Sequence, residues 1–203
     1  MIFHRAVALF TVVVLSTFSI SATSEERDPQ IKNITTDGNL KSNYEVGCVP
    51  ISSVKNVYTP ADLYKGLAEC INSGDFKSGA SLNALAGVYG RYDTLRVADK
   101  TAHQATLVLR MQTFETIPQE TMDLFVKEIQ AKYTDKKKLG EICNQIRLLG
   151  PPNYVPSYMI QHGISAARNP SGQSGIVADF DPKSSWESAL STYLHCEGAA
   201  SES

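Results

Sequence analysis

A run of charged and aromatic side chains between residues 89 and 103 is the densest group of chemistry-bearing residues in the sequence. If Asp93 begins a helix, Arg96, Asp99 and His103 lie along one face, because spacings of three and four residues bring helical side chains together. A histidine oriented by a carboxylate is a common general base, so Asp99 and His103 suit a small hydrolase. The spacing equally suits a recognition surface, or an ion-pair ladder that only fixes helix packing. No serine or cysteine is placed so that the sequence identifies a nucleophile.

A second group follows closely spaced prolines in the segment 151–163. Tyr154, Tyr158 and His162 lie on or beside a short predicted helix, which the prolines stiffen. Tyrosine provides a large contact area at a low entropic cost, which suits a protein interface. The alternative is that the two tyrosines close the end of a helical bundle and cap backbone groups with their hydroxyls.

Together the two groups predict a binding surface, with no residue assigned to catalysis. The predicted binding residues are Arg91, Tyr92, Arg96, Asp99, His103, Tyr154, Tyr158 and His162. Glu115, with Glu120 near it, is the other candidate for hydrolysis, since small exported lysozyme-like enzymes are helical and use paired carboxylates. The sequence does not indicate the cleft that such a pair must flank.

Four cysteines predict two disulfides: Cys48, Cys70, Cys143 and Cys196. Four cysteines allow three connectivities, and spacing does not choose among them. Pairing Cys48 with Cys70 and Cys143 with Cys196 is favoured, because each bridge then ties a terminal segment to a helix. A metal site that adds His103, His162 or His195 lacks suitable spacing, so we expect no metal and no cofactor.

The N-terminus predicts export. Residues 1–22 have the charged start, apolar stretch and small residues of a secretory signal, and the apolar stretch is short for a membrane span. Residues 23–46 predict a flexible lead-in that contains a glycosylation sequon at Asn33. A single helical domain is then expected over residues 47–197, with a frayed tail over residues 198–203. We expect a periplasmic or extracellular protein that is not inserted in a membrane once its signal is cleaved.

Composition excludes several classes of protein. The 203 residues are 42% hydrophobic and 20% charged, which argues against global disorder. A net charge of -2 argues against a nucleic-acid partner, because such proteins carry a basic stripe. The sequence has no Gly-rich phosphate loop and no HExxH, GxSxG or CxxC motif.

Apolar residues recur at helical spacing, and no segment alternates like a strand for more than a few residues. The predicted fold is all-α: an irregular bundle of six to seven helices that begins with an αα-hairpin and is stapled by disulfides. Helix starts are expected at Thr59-Pro60, Asp75, Asp93, Pro118, Asp135, Pro156 and Asp181-Pro182. The second helix is expected to end near Gly90 and the third to run from about residue 94 to 114. Residues 164–183 predict a long loop, with Ile176-Val177-Ala178 held against the body.

The predicted hairpin carries a distinctive set of residues: Leu63, Gly66, Leu67 and Cys70, then Gly74-Asp75-Phe76, then Gly79 and Ala86. With these residues the stretch 63–86 resembles a single degenerate tetratricopeptide or Sel1-type helix pair. It departs from that pattern where a large aromatic residue would open the first helix and an alanine would follow the turn. The resemblance implies a scaffold that binds another protein and has no catalytic residue of its own.

These observations predict an exported protein-interaction module of the cell envelope or extracellular space, whose partner is another protein. An inhibitor or immunity-type protein that plugs an exported enzyme fits the size, the signal and the absent catalytic motifs. Two alternatives stay open: a small exported hydrolase that uses Asp99 and His103 or Glu115, and a purely structural helical domain.

Overall fold

The computed structural model describes residues 36–169 and 175–197. Within these ranges the chain forms eight α-helices, two short 3-10 helices and no strand, which confirms the all-α prediction. The helices are α1 (Pro60–Ser73), α2 (Phe76–Arg96), α3 (Ala105–Glu115), α4 (Gln119–Tyr133), α5 (Lys136–Leu149), α6 (Ser157–Ile160), α7 (Ile164–Arg168) and α8 (Pro182–Tyr193). The described residues belong to one compact unit. None of its helices is both long enough and apolar enough to cross a membrane.

The chain opens its helical part with the predicted αα-hairpin. Thr59 and Asp62 form a reciprocal capping box at the start of α1, with Pro60 in the first turn. Gly74 ends the helix in the left-handed conformation (φ 80°), and the Asp75 side chain accepts the Ser78 amide to cap α2. Each cap contributes about 1 kcal/mol, so this short stretch defines its own turn without help from distant residues.

The centre of the fold is α2, which the other long helices surround. Its middle is buried on almost every side, and Leu82, Leu85 and Tyr89 are fully enclosed. Small residues on α2 let its neighbours approach closely. A Cβ on Gly87 would lie 2.0 Å from the ring of Tyr193 on α8, so any larger residue would push the two helices apart.

The predicted boundary between the second and third helices is wrong. Gly90 lies inside α2, and Asp93, predicted to cap the next helix, is a buried residue of its last turns. The break falls instead at residues 97–99, where Val97 forms an antiparallel bridge with Ile176. A 3-10 helix, Lys100–Gln104, then leads into α3. Packing keeps α2 helical past Gly90, because burial outweighs the helix cost of one glycine, about 1 kcal/mol.

The segment 164–183 is more structured than expected of a long loop. Residues 164–168 form α7, whose first amides are capped from a distance: Thr101 Oγ1 accepts from Ile164 N (2.9 Å) and Asp99 Oδ2 from Ser165 N (2.8 Å). The expected attachment of residues 176–178 is confirmed by a hydrogen bond from Val177 N to Arg96 O (2.8 Å). The short helix at Pro156 was predicted and is α6, so α7 is the helix that brings the count to eight rather than six or seven.

The last part of the predicted lead-in is hydrogen-bonded to the helical body. Asp62 Oδ1 accepts the backbone amides of Asn43 (2.5 Å) and Tyr44 (2.8 Å), and Leu40 N donates to Tyr158 O (3.1 Å). Residues 36–44 are therefore docked on α1 and α6, which corrects the lead-in prediction for this part. The predicted signal, residues 23–35 with the Asn33 sequon, and the tail lie outside the described residues.

Both predicted disulfides are present. Cys48–Cys70 ties the segment before α1 to that helix, and Cys143–Cys196 ties the chain after α8 to α5. The bridges close loops of 22 and 53 residues. By the chain-entropy model these contribute about 3 and about 4 kcal/mol respectively.

Candidate functional site

Three of the eight predicted binding residues, Tyr92, Arg96 and Tyr158, are buried, and the other five are partly buried. Asp93 is fully buried on α2, and Tyr92, Arg96 and Tyr158 are buried around it. The Arg96 Nε donates to Asp93 Oδ1 over 2.8 Å. The Arg96 Nη2 lies 2.7 Å from the same oxygen, as an ion-pair contact outside hydrogen-bond geometry.

The other carboxylate oxygen of Asp93 accepts from two tyrosines of the Pro-rich segment. The Tyr158 hydroxyl donates over 2.8 Å and the Tyr154 hydroxyl over 3.0 Å. Arg96 Nη1 donates to the Tyr154 carbonyl (2.9 Å), and the guanidinium lies 5.0 Å from the centre of that tyrosine's ring. We name these four residues, Asp93, Arg96, Tyr154 and Tyr158, the Asp93 cluster. It ties the end of α2 to residues 154–158.

Burial controls the protonation of this cluster. It raises the pKa of Asp93, while Arg96 and the two tyrosine hydroxyls act in the opposite direction. Burial also raises the pKa of Tyr154 and of Tyr158 well above the ordinary value, so both hydroxyls remain donors. A buried group of side chains that bond to one another in this way suits structural attachment, which is the alternative that the sequence leaves open for these tyrosines.

Asp99 and His103 do not form an acid–base pair. His103 Nε2 lies 2.8 Å from the Val97 carbonyl and must donate to it. Asp99 Oδ1 accepts from both the amide (2.9 Å) and the hydroxyl (2.6 Å) of Thr101. Burial opposes ionisation of Asp99, but the hydrogen bonds from Thr101 and Ser165 outweigh it and lower the pKa of Asp99 to about 2. Asp99 is thus a helix-capping carboxylate.

The remaining predicted residues are dispersed. His162 Nδ1 lies 2.9 Å from Asn39 Oδ1, and burial lowers the pKa of the imidazole. His162 therefore helps to hold the docked segment 36–44. Glu115 and Glu120 are both exposed at the junction of α3 and α4. Of the predicted binding residues, Arg91 lines an open pocket.

That pocket lies between α1, α2, α3 and α8 and has a volume of about 220 Å³. We name it the arginine pocket. Its lining residues are Tyr64, Gly87, Gly90, Arg91, Thr94, Thr106, Leu107, Arg110 and Tyr193.

Two glycines of α2 explain why the pocket exists. A Cβ on Gly90 would lie 2.5 Å from the Thr106 side chain, and one on Gly87 would lie 2.0 Å from the Tyr193 hydroxyl oxygen. A larger residue at either position would require the Thr106 or Tyr193 side chain to move, so the two glycines let α3 and α8 come close to α2. The Tyr193 side chain is partly exposed, while its hydroxyl lies against Gly87.

The charge of the arginine pocket is unbalanced. Arg91 donates only to neutral hydroxyls, from Nε to Thr192 Oγ1 (3.3 Å) and from Nη1 to Thr94 Oγ1 (3.4 Å). In the described ranges no carboxylate lies within 4.0 Å of Arg91 or of Arg110. Burial raises the pKa of Tyr193, and the nearby positive charge of Arg110 partly offsets this. The pocket therefore presents two guanidinium groups and no acid.

Sequence reasoning missed Arg110, Tyr64 and Tyr193. Of the residues that line the pocket, Arg91 was among the predicted binding residues. No spacing rule connects Arg110 on α3 to Arg91 on α2, because such rules relate residues within a single helix. The only available signal was that Leu107, Arg110 and Met111 share a helix side on which apolar and basic residues mix.

Asp75 also lies near a pair of sulfur atoms, with its Oδ2 3.7 Å from Cys48 Sγ. Cys48 and Cys70 are bonded to each other, so they provide no thiolate for a metal ion.

No family model, curated protein or solved structure matches this chain significantly. The tetratricopeptide-like resemblance of residues 63–86 stays a prediction from the sequence.

Proposed function

We propose that this chain is an exported protein-binding module that contacts its partner through the arginine pocket and the exposed apolar residues of α3 beside it. The observation that carries the proposal is the pair of guanidinium groups, Arg91 and Arg110, that line one pocket without a carboxylate partner among the described residues. No ion pair in these ranges explains why the fold places two cations in the lining of one pocket.

The composition of the surface supports a protein partner. Arginine and tyrosine dominate the binding energy of protein interfaces, and the pocket contains both. Leu107 and Met111 lie one turn apart on α3 and are 45% and 61% exposed. A concave site with polar groups inside and apolar side chains at its edge is the common anatomy of an interface.

Export is the second part of the proposal. Disulfides persist in oxidising compartments, and this chain has two of them. Residues 1–22 predict the signal that would deliver it to the periplasm or the extracellular space. An inhibitor or immunity-type protein that plugs an exported enzyme is the form of the proposal that best fits a small helical chain without a catalytic motif.

The two alternatives have less support. A hydrolase based on Asp99 and His103 lacks a bond between the two side chains, and Glu115 is exposed. A purely structural domain accounts for the Asp93 cluster but leaves the composition of the arginine pocket unexplained.

Comparative affinity capture tests the proposal. The disulfide-bonded protein is used to capture proteins from the exported fraction of its source, in three forms: wild type, Leu107→Glu and Leu148→Glu. Leu148 on α5 is the matched control, because it is an exposed leucine (88%) that does not line the pocket. We expect a partner that wild type and Leu148→Glu retain and that Leu107→Glu loses, since a charge in an apolar contact disrupts it.

Direct binding measurements with the purified partner then confirm the capture. Equal retention by Leu107→Glu and Leu148→Glu would contradict the proposed surface. The absence of any specifically retained protein would contradict the proposed function itself.

A further inference from the structure

We propose that the arginine pocket receives an acidic side chain of the partner protein, flanked by apolar residues that cover Leu107 and Met111. This inference rests on the proposed function and specifies the chemistry of its partner. Three observations support it: charge complementarity, the size of the pocket, and the carboxylate partners that other arginines of this chain have.

Two other partly buried arginines of this chain have carboxylate partners. Arg96 pairs with Asp93 at 2.7 Å. Arg147 donates to both oxygens of Glu187, each over 2.8 Å, from α5 to α8. Both of these arginines, which hold parts of the fold together, therefore have a carboxylate partner within the chain. Arg91 and Arg110 differ because the acid is missing from the described residues.

The pocket has hydrogen-bond donors available for an anion. Arg91 uses two nitrogens in long bonds to neutral threonine hydroxyls, and its other N–H groups have no partner among the described residues. Arg110 lines the same pocket from α3, and its positive charge lowers the pKa of Tyr64 and Tyr193 against the larger effect of burial. A carboxylate between two guanidinium groups would gain charge-assisted hydrogen bonds, which are about twice as strong as neutral ones. It would also supply the negative charge that the pocket lining lacks.

The size of the pocket favours one side chain over a free small molecule. Sites for drug-sized ligands usually have volumes of about 300–1,000 Å³. The arginine pocket has about 220 Å³, which suits a single inserted group that is attached to something larger. The aromatic walls from Tyr64 and Tyr193 suit the methylene stem of such a group.

A carboxylate fits better than a phosphate. The pocket lining combines the two arginines with Leu107, two tyrosine rings and the backbone of two glycines. A phosphate group carries close to two negative charges, so an apolar lining raises the cost of removing its water above that of a singly charged carboxylate. One acidic residue between apolar residues matches both the pocket and the exposed side chains of α3.

The test uses short peptides and the side-chain Nε–Hε NMR signals of Arg91 and Arg110 in the intact, disulfide-bonded protein. The principal probe is acetyl-Leu-Glu-Leu-amide, and its neutral control is acetyl-Leu-Gln-Leu-amide. Two further peptides distinguish other sources of negative charge: Leu-Gln-Leu with a free C-terminal carboxylate, and the amide with phosphoserine in the central position. Wild type is compared with Arg91→Gln, Arg110→Gln and the matched control Arg168→Gln, an exposed arginine on α7.

We expect the glutamate peptide to shift both arginine signals and to bind about tenfold more tightly than the glutamine peptide, as expected for one charge-assisted contact. Arg91→Gln and Arg110→Gln should each remove most of this difference, and Arg168→Gln should keep it. Salt should weaken binding of the glutamate peptide more than that of the glutamine peptide.

Three results would overturn the inference: signals that do not respond to the glutamate peptide, tighter binding of the free C-terminus, or tighter binding of phosphoserine. None of these would by itself contradict the proposed function. That proposal fails separately, if Leu107→Glu leaves partner capture unchanged. Loss of capture in Leu107→Glu with no preference for the glutamate peptide would uphold the surface and reject the acidic side chain.

Discussion

Arg96 and Arg91 lie on the same helix, α2, yet the protein treats them in opposite ways. Arg96 is enclosed, with a carboxylate at 2.7 Å, a carbonyl at 2.9 Å and an aromatic ring on each side. Arg91 lines an open pocket and reaches only neutral hydroxyls. A charge that the fold neutralises internally holds the fold together. A charge that the fold leaves unpaired is available to a partner.

The contrast extends to the tyrosines around each arginine. Tyr158 donates to a buried carboxylate, so its hydroxyl has a fixed structural partner. The Tyr193 side chain is partly exposed and lies near the positive charge of Arg110. Substitutions in the Asp93 cluster should therefore change stability, and equivalent substitutions in the arginine pocket should change binding. The predictions below test this division.

The largest effect is expected from Asp93→Asn. The substitution keeps the shape of the side chain but leaves the buried Arg96 without a counter-charge, which costs about 3–5 kcal/mol of unfolding free energy. Urea denaturation followed by circular dichroism measures the loss. Asp179→Asn is the control, because Asp179 is exposed and should change stability by less than about 0.5 kcal/mol. A loss below about 1 kcal/mol for Asp93→Asn would mean that the Asp93 cluster is not the structural attachment described.

A matched pair of tyrosine substitutions should give the next largest difference. Tyr158→Phe removes one hydrogen bond to a buried carboxylate and should cost about 1.5–3 kcal/mol. Tyr193→Phe removes a hydroxyl that has no carboxylate partner among the described residues and should cost less than about 1 kcal/mol. Thermal unfolding of the two variants compares them directly. Equal losses would erase the distinction between the two regions.

Acid unfolding should show the contribution of Asp99, which belongs to neither region, to the stability of the fold. Its pKa in the folded protein is about 2, below the ordinary value of 3.8. Its contribution is therefore fully present above about pH 4 and is lost as the pH falls from about 4 to about 2. Asp99→Ala should cost about 1–2 kcal/mol at neutral pH through its lost helix caps.

The stability difference between wild type and Asp99→Ala should narrow as the pH falls through this window. Asp37→Ala serves as the control, because Asp37 is exposed and makes no side-chain hydrogen bond among the described residues. A difference that does not depend on pH would show that the hydrogen bonds of Asp99 do not depend on its charge.

The smallest effect on stability is expected in the arginine pocket. Arg91→Gln and Arg110→Gln should each change the unfolding free energy by less than about 0.5 kcal/mol, because neither arginine has a carboxylate to lose. At low salt either variant should be slightly more stable than wild type, since one of two like charges is removed. Denaturation at low and high salt measures this. A loss comparable to that of Asp93→Asn would make these arginines structural.

Local sequence signals predicted much of the fold correctly. Thr59-Pro60, Asp75, Asp135 and Asp181-Pro182 all begin helices as expected, because each cap is formed within a few residues. The disulfide pairing that was favoured is also present. The errors arose where distant residues decide: Asp93 resembles a cap in the sequence, but packing carries the helix past it.

The candidate site was predicted less well, for the same reason. Arg96 and Tyr158 were expected on a surface, because charge and aromaticity in a sequence do not reveal burial. Only the fold brings Tyr154 and Tyr158 to Asp93 and so converts a predicted interface into an internal contact. Arg110 was not predicted as a site residue, because only the packing of α3 beside α2 brings it into the same pocket as Arg91.

The amino-acid sequence by itself determined the all-helical class, most helix starts and the cysteines available for crosslinking, since these depend on neighbours along the chain. Which charges are neutralised and which stay available was decided by the tertiary structure alone. The reason is that pairing and desolvation depend on distances between side chains that the folded helices bring together. Arg91 and Arg96 are the same residue type on one helix, and only their surroundings distinguish the arginine that lines an open pocket from the one that is buried against a carboxylate.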